Sequence, residues 1–164
     1  MFNYWVVNAS PLILLTHVKQ THLLTQLAER VIIPQAVTVE IAQGPDNDPA
    51  KQLLAAKKFT VMMTPAPPPE LLAWDLGAGE TAVLAYAQAN PTWTAILDDG
   101  AARKCARALG ISVKGTLAVI ILAKQHGLIP SATQLLQDLR AHGFRINENV
   151  LRQLLPQTVG EDWL

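Results

Sequence analysis

Apolar residues along this chain come in short continuous runs, and between the runs they recur at helical spacing. Tyr4-Trp5-Val6-Val7 is aromatic and β-branched and is stopped by Asn8-Ala9-Ser10-Pro11, which predicts a buried strand followed by a helix. Ser10 followed by Pro11 has the form of an N-cap and first-turn pair, because proline lacks an N–H that a helix start leaves unused. Residues 12–16 and 23–28 predict two short helices, and Val31-Ile32-Ile33 a second strand. Pro34 opens a helix that Gly44-Pro45 closes, residues 60–63 predict a third strand, and the prolines from Pro65 to Pro69 mark a loop.

The second half repeats the alternation more clearly. A helix is predicted over 78–89, stopped by Asn90-Pro91, then a strand over 94–97 and a helix over 100–109 ended by Gly110. A strand over 111–113 and a helix over 116–125 follow. Ser131 with Gln134 has the capping-box form for a helix that ends at Gly143, and 147–155 predicts a last amphipathic helix. This pattern predicts an α/β fold with a mostly parallel sheet, one domain over 1–155 and an irregular tail over 156–164. Parallel sheets of this kind bind ligands at the carboxyl ends of their strands, where Asn8, Asp98 and Asp99 fall.

Composition narrows the chemistry. The 164 residues carry 13 basic and 13 acidic side chains, so no global field draws the protein to nucleic acid and any such contact needs a local patch. Cys105 is the single cysteine, which excludes an internal disulfide framework and suits a reducing cytosol. The N-terminus lacks the basic, apolar and small-residue succession of a signal peptide. The longest apolar-rich stretch, 116–123, is too short to span a bilayer. The expectation is a cytoplasmic protein with no membrane partner, its high hydrophobic content leaving apolar surface for a subunit or partner.

Carboxylates in such an apolar chain need a reason. Glu80 is followed at helical spacing by Val83, Leu84 and Ala87, and Glu40 is preceded by Ala36 and Val37, so both are expected to start from inward-facing stripes. Carboxylates in apolar surroundings are costly unless compensated, and a divalent cation compensates them. Each also has a local explanation: Glu80 as a helix-dipole partner, Glu40 as a solvated helix residue, Asp99 as an N-cap. Hard oxygen donors without a histidine or thiolate cluster favour magnesium or manganese over zinc. His17, His22, His126 and His142 show no zinc-ligand spacing.

At these residues the chain resembles the PIN-domain family, in particular the prokaryotic branch related to VapC toxins. The resemblance runs from about Val6 to Leu155 and rests on ordered segments: Val-Val-Asn-Ala-Ser-Pro-Leu-Ile at 6–13, Ile-Pro-Gln-Ala-Val-Thr-Val-Glu-Ile at 33–41, Leu-Gly-Ala-Gly-Glu-Thr-Ala at 76–82, Ile-Leu-Asp-Asp-Gly-Ala-Ala-Arg at 96–103 and Gly-Ile-Ser-Val-Lys-Gly-Thr-Leu at 110–117. It implies a three-layer α/β/α domain and magnesium- or manganese-dependent cleavage of RNA, often as the toxin of a toxin–antitoxin pair. It also implies metal-binding and catalytic roles for Glu40, Glu80, Asp98 and Asp99, with Ser10 supporting the first position. Asn8 stands where these nucleases usually carry aspartate; its amide oxygen can ligate a metal but brings no charge.

Arg103, Lys104 and Arg107 follow the aspartate pair on one predicted helix, with Lys114 after the next strand, and are the candidate RNA-phosphate contacts; a solvated helix face explains them equally. Apolar rows at Leu135, Leu136 and Leu139 and at Val150, Leu151, Leu154 and Leu155 build core, and by family analogy their surplus serves a homodimer or a small antitoxin protein. Two functions stand side by side: a metal-dependent ribonuclease, and a catalytically impaired PIN-like module that binds RNA or a protein partner. An aspartate-phosphorylated receiver or phosphatase is disfavoured, because Asn8 occupies the first strand end where those proteins usually need an acid.

Overall fold

A computed structural model describes residues 3–164. Strand β1 (Tyr4–Val7) leads into helices α1 (Ala9–His17) and α2 (His22–Leu27), then β2 (Arg30–Pro34), α3 (Gln35–Ala42), α4 (Pro49–Ala55), β3 (Thr60–Met62) and α5 (Pro69–Leu72). The second half runs α6 (Ala78–Ala89), β4 (Trp93–Ile96), α7 (Gly100–Ala108), β5 (Val113–Lys114), α8 (Thr116–Gln125), α9 (Ala132–Ala141) and α10 (Glu148–Thr158). The strands form one sheet in the order β3-β2-β1-β4-β5, and every pairing among the described residues is parallel. This is the α/β architecture that the alternating pattern predicts.

Burial on both faces explains why these strands read as continuous apolar runs. Successive strand residues point to opposite faces, and Trp5, Val6 and Val7 are all buried, so helices must cover both sides of β1. Ile32, Ile33, Ala95 and Ile96 repeat this in the two neighbouring strands. Strand order reverses between β1 and β4: the chain builds outward through β2 and β3 on one side, then through β4 and β5 on the other. At such a switch point the flanking connections leave in opposite directions and open a crevice at the strand ends. The β1–β4 register pairs Val7 with Ile96, so Asn8 and the Leu97-Asp98 segment emerge side by side at that crevice.

Several elements differ from the sequence pattern. The first helix begins at Ala9 with Asn8 at the N-cap, not at Ser10; Pro11 is tolerated because the opening N–H groups of a helix have no partner within it. α4 and α5 are too brief for periodicity to reveal, and each opens on a proline. β5 is shorter and later than 111–113, because the Ile111 N–H turns back to the Ala106 carbonyl. The last helix continues through Pro156 to Thr158, and the stretch beyond it is anchored by buried Trp163 and by Glu161 rather than left loose. Glu161 accepts hydrogen bonds from the N–H groups of Ala132 and Thr133 and from the Ser131 hydroxyl at the start of α9.

No helix among the described residues is long and apolar enough to cross a membrane.

Candidate metal and nucleic-acid site

Asn8 is the first anchor. Its backbone N–H donates to the Ile96 carbonyl at 3.0 Å, extending the β1–β4 ladder by one residue and fixing the side chain beside the end of β4. The side chain is 3% exposed, makes no capping bond to α1, and leaves Oδ1 buried without a hydrogen-bond partner. An orphaned buried acceptor is costly, about 1–3 kcal/mol, and its natural partners are a cation or a donor supplied from outside.

Gly79 brings the next groups in. It is buried in the first turn of α6, and a Cβ built on it would stand 2.6 Å from Glu40 Oε2 and 3.1 Å from Asn8 Oδ1. Only a residue without a side chain lets α6 approach so closely, and the space it frees is filled by two oxygens from two other elements. Glu80 follows in the same turn and folds back over Gly77, whose Cβ would lie 2.7 Å from Glu80 Oε2. There its charge benefits from the positive end of the helix.

Electrostatics ties Glu40 to Glu80. Partial burial, and then the Glu80 carboxylate, push the Glu40 carboxyl above its ordinary pKa. A carboxyl raised in this way beside an unpaired amide oxygen makes an electron-rich corner. Spacing correctly puts Val83, Leu84 and Ala87 in the core beneath a half-buried Glu80. For Glu40 it is corrected: Val37 and Ile41 are buried, but Glu40 itself is exposed, because α3 ends at the rim of the crevice.

The aspartate pair has a different setting. Asp98 is half-buried, and its two oxygens accept from the N–H and hydroxyl of Thr116 at 2.7 and 2.6 Å, which fastens the end of β4 to the start of α8. Asp99 is the N-cap of α7 and accepts from the Ala102 N–H at 2.9 Å. The structure thus brings Asn8 and Glu40 together at Gly79, sets Glu80 within electrostatic reach of Glu40, and holds Asp98 and Asp99 at the adjacent strand end with local partners. Among the described residues, no three His, Cys, Asp or Glu side chains converge closely enough to hold an ion on their own.

Three hard oxygen donors, one of them an orphan, nevertheless fit magnesium or manganese. These ions keep several waters and need only one or two carboxylates from the protein.

Ser10 is exposed in the first turn of α1, and no hydrogen bond of its side chain joins it to Asn8. Of the basic candidates, Arg103 turns inward: its guanidinium approaches the Leu97 carbonyl at 3.5 Å and crowds Gly115. Lys104 and Arg107 are exposed on the outside of α7, and Lys114 is half-buried in β5. The shared face expected for Arg103 and Arg107 does not carry both into the crevice.

Sequence reasoning missed Gly79 and Thr116. The signal for each was position, a glycine one residue before the helix acid and a threonine opening the helix beside the second strand end.

A family model described as a PIN domain matches residues 4–160. No curated protein matches the chain. PIN domains are generally nucleases that use divalent metal ions, and the parallel sheet, its switch point and the oxygen donors beside it accord with that class. The chain belongs to the PIN-domain family.

Proposed function

We propose that this protein is a magnesium- or manganese-dependent ribonuclease that hydrolyses RNA phosphodiester bonds. The observation that carries the reading is the approach of Asn8 Oδ1 and Glu40 to Gly79, with Glu80 in the next position of the same helical turn and close enough to act on Glu40 electrostatically. In this reading Asn8, Glu40 and Glu80 would hold the ion, with Asp98 and Asp99 at the neighbouring strand end completing the acidic set. Bound there, a divalent ion contributes charge neutralisation at the phosphate and a lowered pKa for water. Glu80, held at a helix start, orients the attacking water by accepting its hydrogen bond. Thr116 is a positioning residue: by holding both oxygens of Asp98 it fixes the carboxylate that faces the substrate. Arg103, with Lys104, Arg107 and Lys114 around it, supplies positive charge for the RNA backbone.

The toxin role, in the branch related to VapC, is part of the same proposal, as are a homodimer and a small antitoxin partner. Val39, Val61, Met63, Leu72 and Trp74 are exposed on α3, β3 and α5 and in the segments that follow β3 and α5, and an apolar groove of about 610 Å3 runs between α3 and α4. That surface supports a protein partner better than α9 and α10, whose leucines are spent on the core.

A second reading is favoured by Asn8: with an amide at the first strand end, the same fold serves as a catalytically impaired module that binds RNA or a protein partner. One assay separates them. Purified protein and Glu80→Gln are incubated with varied RNAs in manganese, in magnesium and in chelator. Metal-dependent cleavage that Glu80→Gln lacks supports the enzyme. Binding without cleavage supports the module, and equal cleavage by both proteins sinks the nuclease reading.

A further inference from the structure

A second cavity reaches the end of β4 through Asp98 and Arg103, and most of its lining takes no part in the chemistry above. It encloses about 450 Å3 between α7, α8 and α10, within the range of about 300–1,000 Å3 typical of small-ligand sites. Its walls are apolar, with Leu117, Ile121, Phe144, Ile146 and Leu154 among them. Asp98 and Arg103 stand at the end nearest the crevice, and Arg145 lies on the loop between α9 and α10.

The charges around this cavity are unbalanced. Asp98 is the single acid in the lining, and both its oxygens are occupied by Thr116. Arg103 has the long contact to the Leu97 carbonyl and no carboxylate at ion-pair distance. Arg145 is exposed and has no hydrogen-bond or ion-pair partner among the described residues. The nearby acid Glu148 is taken by Arg140 and Arg152. Two unpaired guanidiniums at an apolar cavity with an aromatic wall suit a ligand with a flat, weakly polar body and an attached phosphate.

We infer that this cavity is a nucleotide subsite, which takes one base of single-stranded RNA between Phe144 and the α8–α10 wall and its phosphate between Arg103 and Arg145. The inference rests on the ribonuclease reading for its substrate class and adds to it where one nucleotide beside the cut is gripped. Specificity then comes from the α9–α10 loop and α10, whereas hydrolysis belongs to Asn8, Glu40, Glu80 and the Asp98–Asp99 pair.

The test is binding without catalysis. The full chain in chelator is titrated with each 5′-ribonucleoside monophosphate and with inorganic phosphate, followed by calorimetry or amide chemical shifts. At least one nucleotide binds at least about tenfold more tightly than phosphate, with shifts at Phe144 and Ile146. Arg145→Ala weakens that nucleotide about tenfold, and Val150→Trp, which fills the cavity from its exposed rim, removes the preference over phosphate.

Nucleotide and phosphate binding equally would mean that the arginines serve phosphate alone, and the base subsite is refuted. Binding of neither would leave this face to a protein partner, and the inference falls. Nucleotide binding unchanged in folded Val150→Trp also overturns it. Metal-dependent cleavage with no nucleotide binding here refutes the subsite alone. Nucleotide binding as described without cleavage under any metal refutes the ribonuclease reading and leaves the subsite.

Discussion

Gly79 lies where any side chain would collide with Glu40: a Cβ on it would stand 2.6 Å from Glu40 Oε2. This close approach joins α3 to α6 at the crevice and holds Glu40 near the orphaned oxygen of Asn8. Gly79→Ala separates stability from function. Alanine is intrinsically better in a helix by about 0.5–1 kcal/mol, and Glu40 is exposed enough to swing aside. Buried Asn8, 3.1 Å from the new Cβ, must yield by a few tenths of an ångström and offsets that gain. The expected variant therefore melts close to the parent temperature, while manganese affinity falls about 10- to 100-fold. Thermal melts beside manganese titration check this, and unchanged affinity would show that the approach is incidental.

Asn8→Asp puts a further carboxyl next to Glu40, whose own carboxyl is already pushed above its ordinary pKa by burial and by the Glu80 charge. Without metal the buried charge has no partner, and the variant is expected to lose about 1–3 kcal/mol in chemical denaturation. With manganese the sign reverses, because affinity for a hard cation rises with the charge of its ligand set. Denaturation curves with and without manganese test the crossing. A variant equally destabilised in both would mean that Asn8 does not face the ion.

Thr116→Val keeps the shape of a fully buried residue and removes one of the two hydrogen bonds that hold Asp98. Expected are a loss of about 1–2 kcal/mol in stability and a fall in the cleavage rate without change of metal preference. Cleavage equal to the parent would restrict Asp98 to its structural bond.

Glu161 gives the fold a pH dependence far from the crevice. Burial alone would push its carboxyl up; hydrogen bonds from the Thr133 and Ala132 N–H groups and the Ser131 and Thr133 hydroxyls outweigh this and bring it to about 2. The folded value lies below the ordinary 4.5, so the stabilisation is fully present above pH 4.5 and is lost as pH falls toward about 2. Partial solvent exposure discounts the effect to about 2 kcal/mol. Urea unfolding of Glu161→Gln should show that deficit at pH 7 and converge on the parent as pH falls to about 2, whereas a constant gap would remove the charge from the explanation.

The sequence pattern carries the fold well where burial is complete. β1, β2 and β4 are short because both faces are covered, and α6 spans the residues its periodicity and Asn90-Pro91 delimit. It fails where local chemistry overrides pattern, as at Pro156, which does not end α10, and at α4 and α5, which lack the length for periodicity. For the candidate site, the placing of Asn8, Asp98 and Asp99 just after strands and of Glu40 and Glu80 on helices was legible. Their grouping was not. The division into an Asn8–Glu40–Glu80 cluster and a tethered Asp98–Asp99 pair depends on Gly79 and Thr116, whose roles arise from contacts between elements distant in sequence.

The central claim is that an amide and two glutamates hold a divalent ion at the switch point. Electron paramagnetic resonance titration of manganese into the parent, Glu40→Gln and Glu80→Gln tests it without needing an RNA target. The account predicts one bound ion in the parent and a loss of about tenfold or more in affinity in each variant, with both variants folded. Parent-like binding in both variants, or no specific binding in the parent, would contradict it.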